Sequence, residues 1–542
     1  MNGINQPILV LSEDVLRQTG KDAQKANITA AVSVSEMIRS TLGPKGMDKM
    51  LVDSTGDITI TNDGVTILDE MEINHPAAKM IREVAKTQEQ EVGDGTTTAV
   101  VLAGQLLKKA GELLDQGIHR TTIVKGYRLA TNKAIELLKE LGQKISLEDE
   151  EELKKIALTA MTGKGIESSK QKLSEIAVKA IKCIAHEEDG KIVINPDDIQ
   201  IEKKQGGSVS DTELIEGIVV DKEVVNPAMP KLVKNAKIAL INAALEIKST
   251  ETDAKISITD PEKMQAFAEQ ESKMLKNLAD KIKNSGANVV FCQKGIDDLV
   301  QYYLAKYGIL GVRRIKESDM EKLSKATGAR IVSNIEEISK EDLGEAGIVQ
   351  EKKIGEDKMV FVRECKEPKA VSILVRGGTE HVVDEAKRAM DDAVLGISST
   401  LELSSYVYGG GAIEIELARK LRDYAASIGG KEQLAINAFA ESLDIIPRTL
   451  AESAGKDAIE LLVAAKSEHE NGNVGYGINV NEGKIDDMEK LGVVEPTKIK
   501  FQAISSATDV AEMILRIDDV ITAGKSTSTT TPPGGGMGGG EY

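Results

Sequence analysis

The chain has 542 residues, of which 41% are hydrophobic and 29% charged, a balance typical of a globular protein with several cores. At about 150 residues per domain, this length predicts three or four domains. The net charge of −18, from 69 basic and 87 acidic residues, and the absence of Trp argue against nucleic-acid binding, which needs a basic face and stacking platforms.

Cysteine and histidine usage predicts a reducing compartment and no transition-metal centre. The three cysteines, Cys183, Cys292 and Cys365, are odd in number and far apart, so neither a disulfide framework nor a CxxC knuckle is indicated. The five histidines are equally scattered. The first residues lack the basic and apolar regions of a signal peptide, and no run approaches about eighteen apolar residues. We therefore expect a cytoplasmic protein with no membrane partner.

Residues 28–145 predict long amphipathic helices around one hairpin. Ile58 and Ile60, then Val65 and Ile67, alternate with other residues on either side of an Asn-Asp-Gly turn. Such alternation about such a turn is typical of a β-hairpin. We therefore expect two antiparallel strands here.

Helical spacing of apolar residues then predicts a long helix from Thr96 to Gln116, with Gly117 as its stop. The apolar residues at this spacing are Val100, Leu102, Leu106, Leu107, Leu113 and Leu114. A highly charged segment, residues 147–155, predicts the opening of a further helical region.

The pattern changes between about residues 216 and 369, where short apolar runs alternate with helices, as in an α/β domain. Strands are predicted within 237–247, 288–293, 309–315 and 329–335, and a hairpin within 348–365. From residue 409 the long-helix style returns, which indicates one domain assembled from both ends of the chain with others inserted. Residues 525–542, rich in Gly, Ser and Thr, predict a flexible tail.

One helix of this middle region has a distinctive start and stripe. Asp260 and Pro261 suit the cap and the first helical position. The apolar stripe that follows comprises Met264, Phe267, Met274, Leu275, Leu278 and Ile282. Part of the stripe is expected to pack against the α/β domain, but the preceding segment 248–258 is polar and weakly patterned, as suits a projection from the body.

The strongest local signal for chemistry is the run from Gly93 to Thr98, which opens the helix predicted at Thr96. Glycines let backbone approach a ligand, and free N–H groups at a helix N-terminus attract phosphate oxygens. Asp94 would repel a phosphate unless a cation lay between them, so it indicates Mg²⁺. A plain helix cap explains the same residues, and spacing alone does not decide between the two.

Weaker signals each have an ordinary alternative. Residues 41–49 form a Gly-rich junction without a Walker A pattern, which occurs nowhere in the chain, and alone they suggest a turn. Asp63 is explained by the predicted hairpin turn. Lys164, in a Thr-Gly-Lys-Gly segment, suits a solvated loop.

Asp391 and Asp392 are neighbours on a predicted helix, so their side chains point about 100° apart and cannot act as one paired site. Either suits a solvated position. Gly409 to Gly411 precede another helix and again would let backbone approach a nucleotide. Several phosphate and metal signals thus coexist without a competing catalytic set.

Seven segments together resemble the nucleotide-binding domain of the chaperonins and span almost the whole chain. In order they are TLGPKGMDKMLVD, TNDGVTIL, KTQEQEVGDGTTTAVVLAG, TGKG, GGGAIEIELA, IPRTLAESAG and GVVEPTKIK. Residues 211–231 and 251–278 resemble the archaeal and eukaryotic-cytosolic branch, the group II chaperonins, and the Gly-Gly-Met tail is similar to that of the archaeal thermosome type.

This resemblance implies a multidomain α and α/β fold with a mostly helical equatorial ATPase domain, a small α/β intermediate hinge domain and an α/β apical substrate-binding domain. The implied ranges are 1–145 and 405–524 for the equatorial domain, 146–215 and 370–404 for the intermediate domain, and 216–369 for the apical domain. A helical protrusion at about 248–283 would serve as a built-in lid.

The resemblance also implies ATP and Mg²⁺ as cofactors and a role for each site residue. Asp94 would ligate Mg²⁺, and Lys164 would sense the γ-phosphate. Asp63 and Asp392 would orient and activate the attacking water, Asp392 rather than Asp391 matching the family's catalytic position. The remaining nucleotide contacts would be Leu42, Gly43, Pro44, Gly95, Thr96, Thr97, Thr98, Gly410, Gly411, Asn479 and Glu495.

Two departures from the family pattern stand out. Residues 401–408, LELSSYVY, occupy the place of an acidic-Gly-Lys turn, and loss of the Gly makes a tight turn there less comfortable. Ser453 replaces a usual Asn. Neither change removes a proposed phosphate or metal ligand.

The resulting hypothesis is an ATP-driven chaperone that encloses and folds non-native client proteins. It would assemble as two stacked rings of about eight subunits each, with no separate lid protein and no nucleic-acid partner. One alternative is a passive scaffold or holdase that binds nucleotide only for assembly. Another is a small-molecule kinase or ATPase, weakened because no second acid/base or nucleophile set appears.

Overall fold

The computed structural model describes residues 16–188, 191–247 and 261–522. A mostly helical part is combined with a seven-stranded mixed sheet and a three-stranded sheet, each accompanied by helices. The predicted fold class, multidomain α and α/β, is confirmed. The predicted tail at 525–542 and the polar segment 248–258 lie outside the described residues. None of the described helices is long and apolar enough to cross a membrane.

The N-terminal part is mainly helical, and its fourth helix is apolar nearly all round. Its elements are β1 (Leu16–Thr19), α1 (Gly20–Arg39), β2 (Lys49–Val52), β3 (Ile58–Thr61), α2 (Gly64–Glu70), α3 (Pro76–Val92), α4 (Thr96–Asp115), α5 (Arg120–Leu141) and β4 (Gln143–Lys144). The predicted helix at Thr96 is confirmed, with Gln116 as its C-cap. A helix buried all round belongs at the centre of a core.

The hairpin predicted about the Asn-Asp-Gly turn is wrong. β3 instead pairs antiparallel with the preceding β2, and the residues after the turn form α2. Asp63 caps this helix, because its Oδ2 accepts a hydrogen bond from Thr66 N at 2.8 Å. Ile67 and Leu68 are both buried, which a helix allows but a strand with one buried face does not, since neighbouring strand residues point to opposite faces.

The middle of the chain alternates strands and helices, as predicted for 216–369. The elements before this region are α6 (Glu150–Met161), α7 (Lys170–Ile184), β5 (His186–Glu188), β6 (Lys191–Val193), β7 (Ile199–Gln205) and β8 (Glu213–Ile215). Those within it are β9 (Val219–Val220), β10 (Leu232–Ile241), α8 (Pro261–Ser285), β11 (Val289–Cys292), α9 (Asp298–Lys306), β12 (Leu310–Val312), α10 (Glu317–Thr327), β13 (Ile331–Val332), β14 (Gly344–Ile354) and β15 (Asp357–Arg363). The helix expected from the charged segment 147–155 is α6.

The large sheet has the order β12-β11-β10-β14-β15-β9, with β13 also on β10. β10 to β13 are mutually parallel where they pair, because a helix crosses over between each successive two. β14 and β15 are antiparallel, so the hairpin predicted within 348–365 is confirmed. β16 (Val371–Gly377) lies between β7 and β8 in the three-stranded sheet, and α11 (Glu380–Leu403) follows it.

The apolar stripe of α8 divides into a buried and an exposed half. Leu275 and Ile282 are buried in the core of the large sheet, whereas Phe267 is 52% and Met274 54% exposed. Leu278 is partly buried beside that core. Asp260 and the side chain of Met264 lie outside the described part of the chain. The segment from Leu275 to Ile282 therefore anchors the helix, whereas Phe267 and Met274, which precede it, are presented to solvent.

The C-terminal part returns to long helices. Its elements are β17 (Ser405–Tyr408), α12 (Ala412–Ile428), α13 (Glu432–Leu443), α14 (Ile445–Ser453), α15 (Ala458–Glu470), β18 (Tyr476–Asn479), β19 (Lys484–Asp487), α16 (Met488–Leu491), β20 (Val494–Pro496), α17 (Thr497–Arg516) and β21 (Asp519–Thr522). One hydrophobic core combines buried residues of 31–138 with those of 407–515, and β1 pairs with β21. The implied domain boundaries themselves stay a proposal.

The unusual segment 401–408 ends one helix and forms one strand. α11 runs to Leu403, and β17 pairs with β20 and β4. The reversal falls on Ser404, whose φ of 50° and ψ of 37° are left-handed. A Cβ in this conformation meets the following carbonyl oxygen, so a non-glycine residue is strained here.

Replacing Ser404 with Gly is therefore expected to stabilise the protein by about 0.5–1 kcal/mol, since the relief of backbone strain is partly offset by glycine's entropy in the unfolded chain. The midpoint of thermal unfolding at fixed protein concentration is the measurement. Ser404→Ala is the control, because it removes the hydroxyl that bonds Leu401 O but keeps the strain. An equal rise in both variants would contradict the backbone explanation.

Candidate nucleotide-binding site

All fifteen site residues proposed from the sequence line one cavity of about 810 Å³. They come from segments that are far apart in the chain: the loop after α1, the start of α2, the α3–α4 loop, the α6–α7 loop, α11, the β17–α12 loop, β18 and β20. They are Leu42, Gly43, Pro44, Asp63, Asp94, Gly95, Thr96, Thr97, Thr98, Lys164, Asp392, Gly410, Gly411, Asn479 and Glu495. Their individual roles stay proposals.

Two helices begin at this cavity with a glycine cap. Gly95 precedes α4 and Gly411 precedes α12, both in left-handed conformation with φ of 78° and 80°, and neither helix start has a side-chain cap. A Cβ at Gly95 would lie 2.7 Å from Ile499 Cγ2, and one at Gly411 would lie 2.6 Å from Pro447 Cβ. Both helix starts thus offer N–H groups that no capping side chain occupies, the arrangement that binds phosphate oxygens.

The loop before α4 is held from beneath by a buried amide. Gln88 Nε2 donates to Asp94 O at 2.9 Å and to Ile499 O at 3.2 Å, which ties the loop to α17. The Asp94 side chain accepts from Gly95 N at 2.6 Å. The position of the carboxylate is therefore fixed by its own loop.

Asp94 has the surroundings of a Mg²⁺ ligand that shares its ion with a substrate. It makes no ion pair with any residue in the described ranges, so the carboxylate is open to a cation. Within those ranges no three His, Cys, Asp or Glu residues are grouped as a complete metal site. Mg²⁺ is commonly held by one or two carboxylates together with phosphate oxygens and water. The residues present fit such an ion.

Asp392 and Lys164 form an ion pair across the cavity. Each side chain is about one-fifth exposed. Burial lowers the pKa of Lys164, while the charges of Asp94 and Asp63 oppose that change. Asp63, which also lines the cavity, uses Oδ2 for both of its bonds to Thr66.

The two neighbouring aspartates of α11 have different surroundings. Asp392 lines the cavity, whereas Asp391 does not and pairs with Lys387 one helical turn earlier at 2.8 Å. Burial raises the pKa of Asp391 above its ordinary value. The geometry therefore supports the choice of Asp392, as the 100° separation on the helix requires one of the two to face elsewhere.

Sequence reasoning missed several charged residues of the cavity wall. They are Glu89, Lys155, Lys170, Glu385, Arg388, Glu482, Lys490 and Lys500. Arg388 lies four residues before Asp392 on α11, so helical spacing was sufficient to find it. Burial raises the pKa of both Glu89 and Glu385, and the charge of Asp63 adds to each effect.

The far side of the cavity is built from the β17–α12 loop and the β18–β19 hairpin. Ile478 N donates to Gly410 O at 2.8 Å, which fastens β18 to the loop. Asn479 is buried, and its amide bonds Asp486 Oδ2 at 3.3 Å and Glu482 N at 3.3 Å. This wall is therefore preformed by hydrogen bonds between its own elements.

Comparison with known proteins agrees with this architecture. A sequence model of the TCP-1/cpn60 chaperonin family matches residues 34–525. The chain is 61% identical to a thermosome subunit of Methanopyrus kandleri, covering 96% of each chain, and 62% identical to thermosome subunit beta of Archaeoglobus fulgidus, covering 96% of this chain and 95% of that one. It is also similar to the open state monomer of a group II chaperonin from Methanococcoides burtonii, with a TM-score of 0.60 and 47% identity over 79% of this chain and 100% of that chain. The match spans most of the length on both sides, and the chain belongs to the TCP-1/cpn60 chaperonin family as a group II chaperonin subunit of the thermosome type.

Proposed function

We propose that this chaperonin subunit hydrolyses ATP in the cavity and uses the reaction to enclose and fold non-native proteins. The observation that carries the proposal is the convergence on one cavity of three features: two helix N-termini without side-chain caps, an Asp94 carboxylate with no ion pair among the described residues, and the Lys164–Asp392 pair. Helix N-termini supply phosphate binding, and carboxylates supply metal binding and water activation. A passive holdase needs neither metal binding nor water activation.

Each group then has a task in phosphoryl transfer to water. The N–H groups at the starts of α4 and α12 hold phosphate oxygens, and Gly43 allows the loop after α1 to approach them. Asp94 holds Mg²⁺, which supplies neutralisation of phosphate charge when bound. Asp63 and Asp392 orient the attacking water, and an oxygen of Asp392 accepts its proton.

Lys164 couples nucleotide binding to the ability of Asp392 to accept a proton. An ammonium paired with the Asp392 carboxylate stabilises its charge and makes it a poorer base. A γ-phosphate carries more negative charge than the carboxylate and competes for the same ammonium. Transfer of Lys164 to the phosphate leaves Asp392 free to accept a proton, so the base becomes available only when its substrate is present.

Ring assembly is supported by an exposed apolar surface on the hairpin of β2 and β3. Its large apolar side chains, each more than half exposed, are Met47, Met50, Val52, Ile58 and Ile60. A two-stranded hairpin of this kind is marginal alone and has free edges that a second chain can pair with. We propose self-association into two stacked rings of about eight subunits each, in the cytoplasm and with no separate lid protein. Negative-stain imaging of the purified protein tests the number of rings and of subunits directly.

Substitution of Asp392 separates chemistry from binding. Asp392→Ala is expected to slow steady-state ATP hydrolysis by about 10²- to 10⁴-fold, the usual range for a lost general base, while ATP still binds. Asp391→Ala is the matched control and should have a far smaller effect, because Asp391 pairs with Lys387 outside the cavity. Equal losses in the two variants would be evidence against Asp392 as the base.

Removal of the metal ion tests Asp94. EDTA and Asp94→Ala are each expected to abolish hydrolysis, because phosphate charge close to an aspartate needs a cation between them. Mg²⁺-dependent ATP binding, followed by calorimetry, should disappear in the variant. Loss of hydrolysis with EDTA but normal turnover in Asp94→Ala would show that another residue holds the ion.

The exposed half of α8 and the segment before it are the proposed lid. Replacing residues 251–273 with a short Gly/Ser linker spares Leu275 and Ile282, which belong to the core, so hydrolysis and ring assembly should survive. Clients captured by this variant should be digested by added protease even with ATP present, and their refolding should fail. Protection of the client equal to that given by the unaltered chain would show that this segment is not the lid.

A further inference from the structure

A buried cluster of one cation and two carboxylates lies at the side of the cavity that Glu495 and Lys500 line. Lys500 Nζ is 2.5 Å from Glu495 Oε2 and 2.8 Å from Glu414 Oε1. The side chains of Lys500 and Glu414 are 5% and 4% exposed, and that of Glu495 is 25% exposed. Lys500 comes from α17, Glu414 from α12 and Glu495 from β20, so three elements meet at the ammonium.

The cluster is not balanced in charge. One ammonium serves two carboxylates, and Lys500 is the one cation within ion-pair distance of either in the described part of the chain. Apart from the ammonium of Lys500, the Glu414 carboxylate has no partner among the described residues, so its contact with Lys500 is what it contributes to the cluster. Burial raises the pKa of Glu495, the charge of Lys500 lowers it, and Glu414 raises it again. The Lys500 ammonium is therefore the group in contact with Glu495 that favours its charged form.

The two oxygens of Glu495 have different environments. Oε2 faces the ammonium, while Oε1 accepts no hydrogen bond from the described residues and faces the β17–α12 loop, where a Cβ on Gly409 would lie 2.9 Å from it. Glu495 also lines the cavity. An ionised carboxylate oxygen without a donor is a strong acceptor for a ligand hydroxyl.

We infer that Lys500, anchored by Glu414, is a positioning residue that holds the Glu495 carboxylate as a hydrogen-bond acceptor and so selects ribonucleotides over deoxyribonucleotides. The inference rests on the proposed function of the cavity as an ATP site, together with the nucleotide contact that the family resemblance implies for Glu495. In this inference Lys500, whose ammonium is held between Glu495 and Glu414, acts through Glu495. A hydrogen bond from a sugar hydroxyl to a charged acceptor changes affinity by about 10- to 100-fold, so its loss is measurable.

The test compares ATP with 2′-deoxy-ATP and 3′-deoxy-ATP on the assembled full-length protein. The unaltered chain should show a KM and a dissociation constant at least about tenfold higher for one of the deoxy nucleotides. Lys500→Met combined with Glu414→Met removes the ion pair without leaving a lone buried charge. In this double variant the ratio of KM for the deoxy nucleotide to KM for ATP should fall towards one, because KM for ATP rises while KM for the deoxy nucleotide changes little. The value of kcat should fall by a smaller factor than the factor by which KM for ATP rises.

Two further variants make the comparison specific. Lys498→Met removes an ion pair on the same helix, 2.6 Å to Glu402, without touching the cavity, so the nucleotide ratio should stay that of the unaltered chain. Glu414→Gln removes the charge that anchors Lys500, so the ratio should fall, by less than in the double variant. This single variant decides the question if the double variant does not fold, since an unchanged ratio would overturn the anchoring role.

The outcomes separate the inference from the proposed function. Turnover reports on ATP hydrolysis, and equilibrium binding of the same three nucleotides reports on Glu495 even if turnover is absent. Equal affinities in the unaltered chain overturn the inference and leave ATP hydrolysis standing. A ratio retained by the double variant shows that Glu495 needs no help from Lys500, and likewise overturns it.

Discussion

The enclosure of α4 from Thr96 to Leu107 is the constraint on which the proposed nucleotide site depends. α4 packs against α1, α3, α13 and α17, and its buried residues run from Thr96 to Leu113. A helix enclosed in this way can neither slide nor rotate without opening cavities around it, and each lost contact costs free energy. The N–H groups at its first turn therefore face the cavity from a fixed position. A phosphate-binding site gains from such rigidity because the donors need no reorganisation when the ligand arrives.

The charges around the cavity follow from the chemistry of its substrate. Asp63, Asp94, Asp392 and Glu495 all line it, together with Glu89 and Glu385, whose pKa values are raised by burial. So many carboxylates repel one another until cations arrive, and only Lys164 and Lys500 are engaged with the proposed site carboxylates in the described ranges. In the proposed function, a metal ion that arrives with the nucleotide would relieve this repulsion, whereas phosphate alone would add to it.

Sequence patterns predicted those parts of the protein that are determined locally. Periodicity, caps and turn residues predicted the start of α4 at Thr96 and the strand–helix alternation of the large sheet. They also predicted that only part of the apolar stripe of α8 packs against the α/β domain. The hairpin about Asp63 failed because Asn-Asp-Gly suits a helix cap as well as a tight turn, and burial of two successive residues decided between them.

Long-range contacts were beyond the patterns. Lys500 stands five residues after Glu495, but a strand ends and a helix begins between them, so no single periodicity relates the two side chains. The contact of Glu414 with Lys500 could not be predicted for a different reason. The sequence of its helix is that of an ordinary amphipathic segment, in which a charged residue is expected to be solvated. The convergence of fifteen residues on one cavity came from the family resemblance, since each of their local signals had an ordinary alternative.

The pairing of β1 with β21 has a consequence for synthesis of the chain. Residues 218–370 form their own core from one continuous stretch, so this part can fold while the ribosome is still translating. The core that holds α4 needs α17, and its outer strand pair needs residues up to 522, so it closes only when almost the whole protein has left the exit tunnel. A nascent subunit thus completes the core of the large sheet before it can complete the cavity. The chaperonin subunit itself therefore has a discontinuous core that is completed late in synthesis. Until then the apolar helices of this core are exposed, and chaperones already present can bind them.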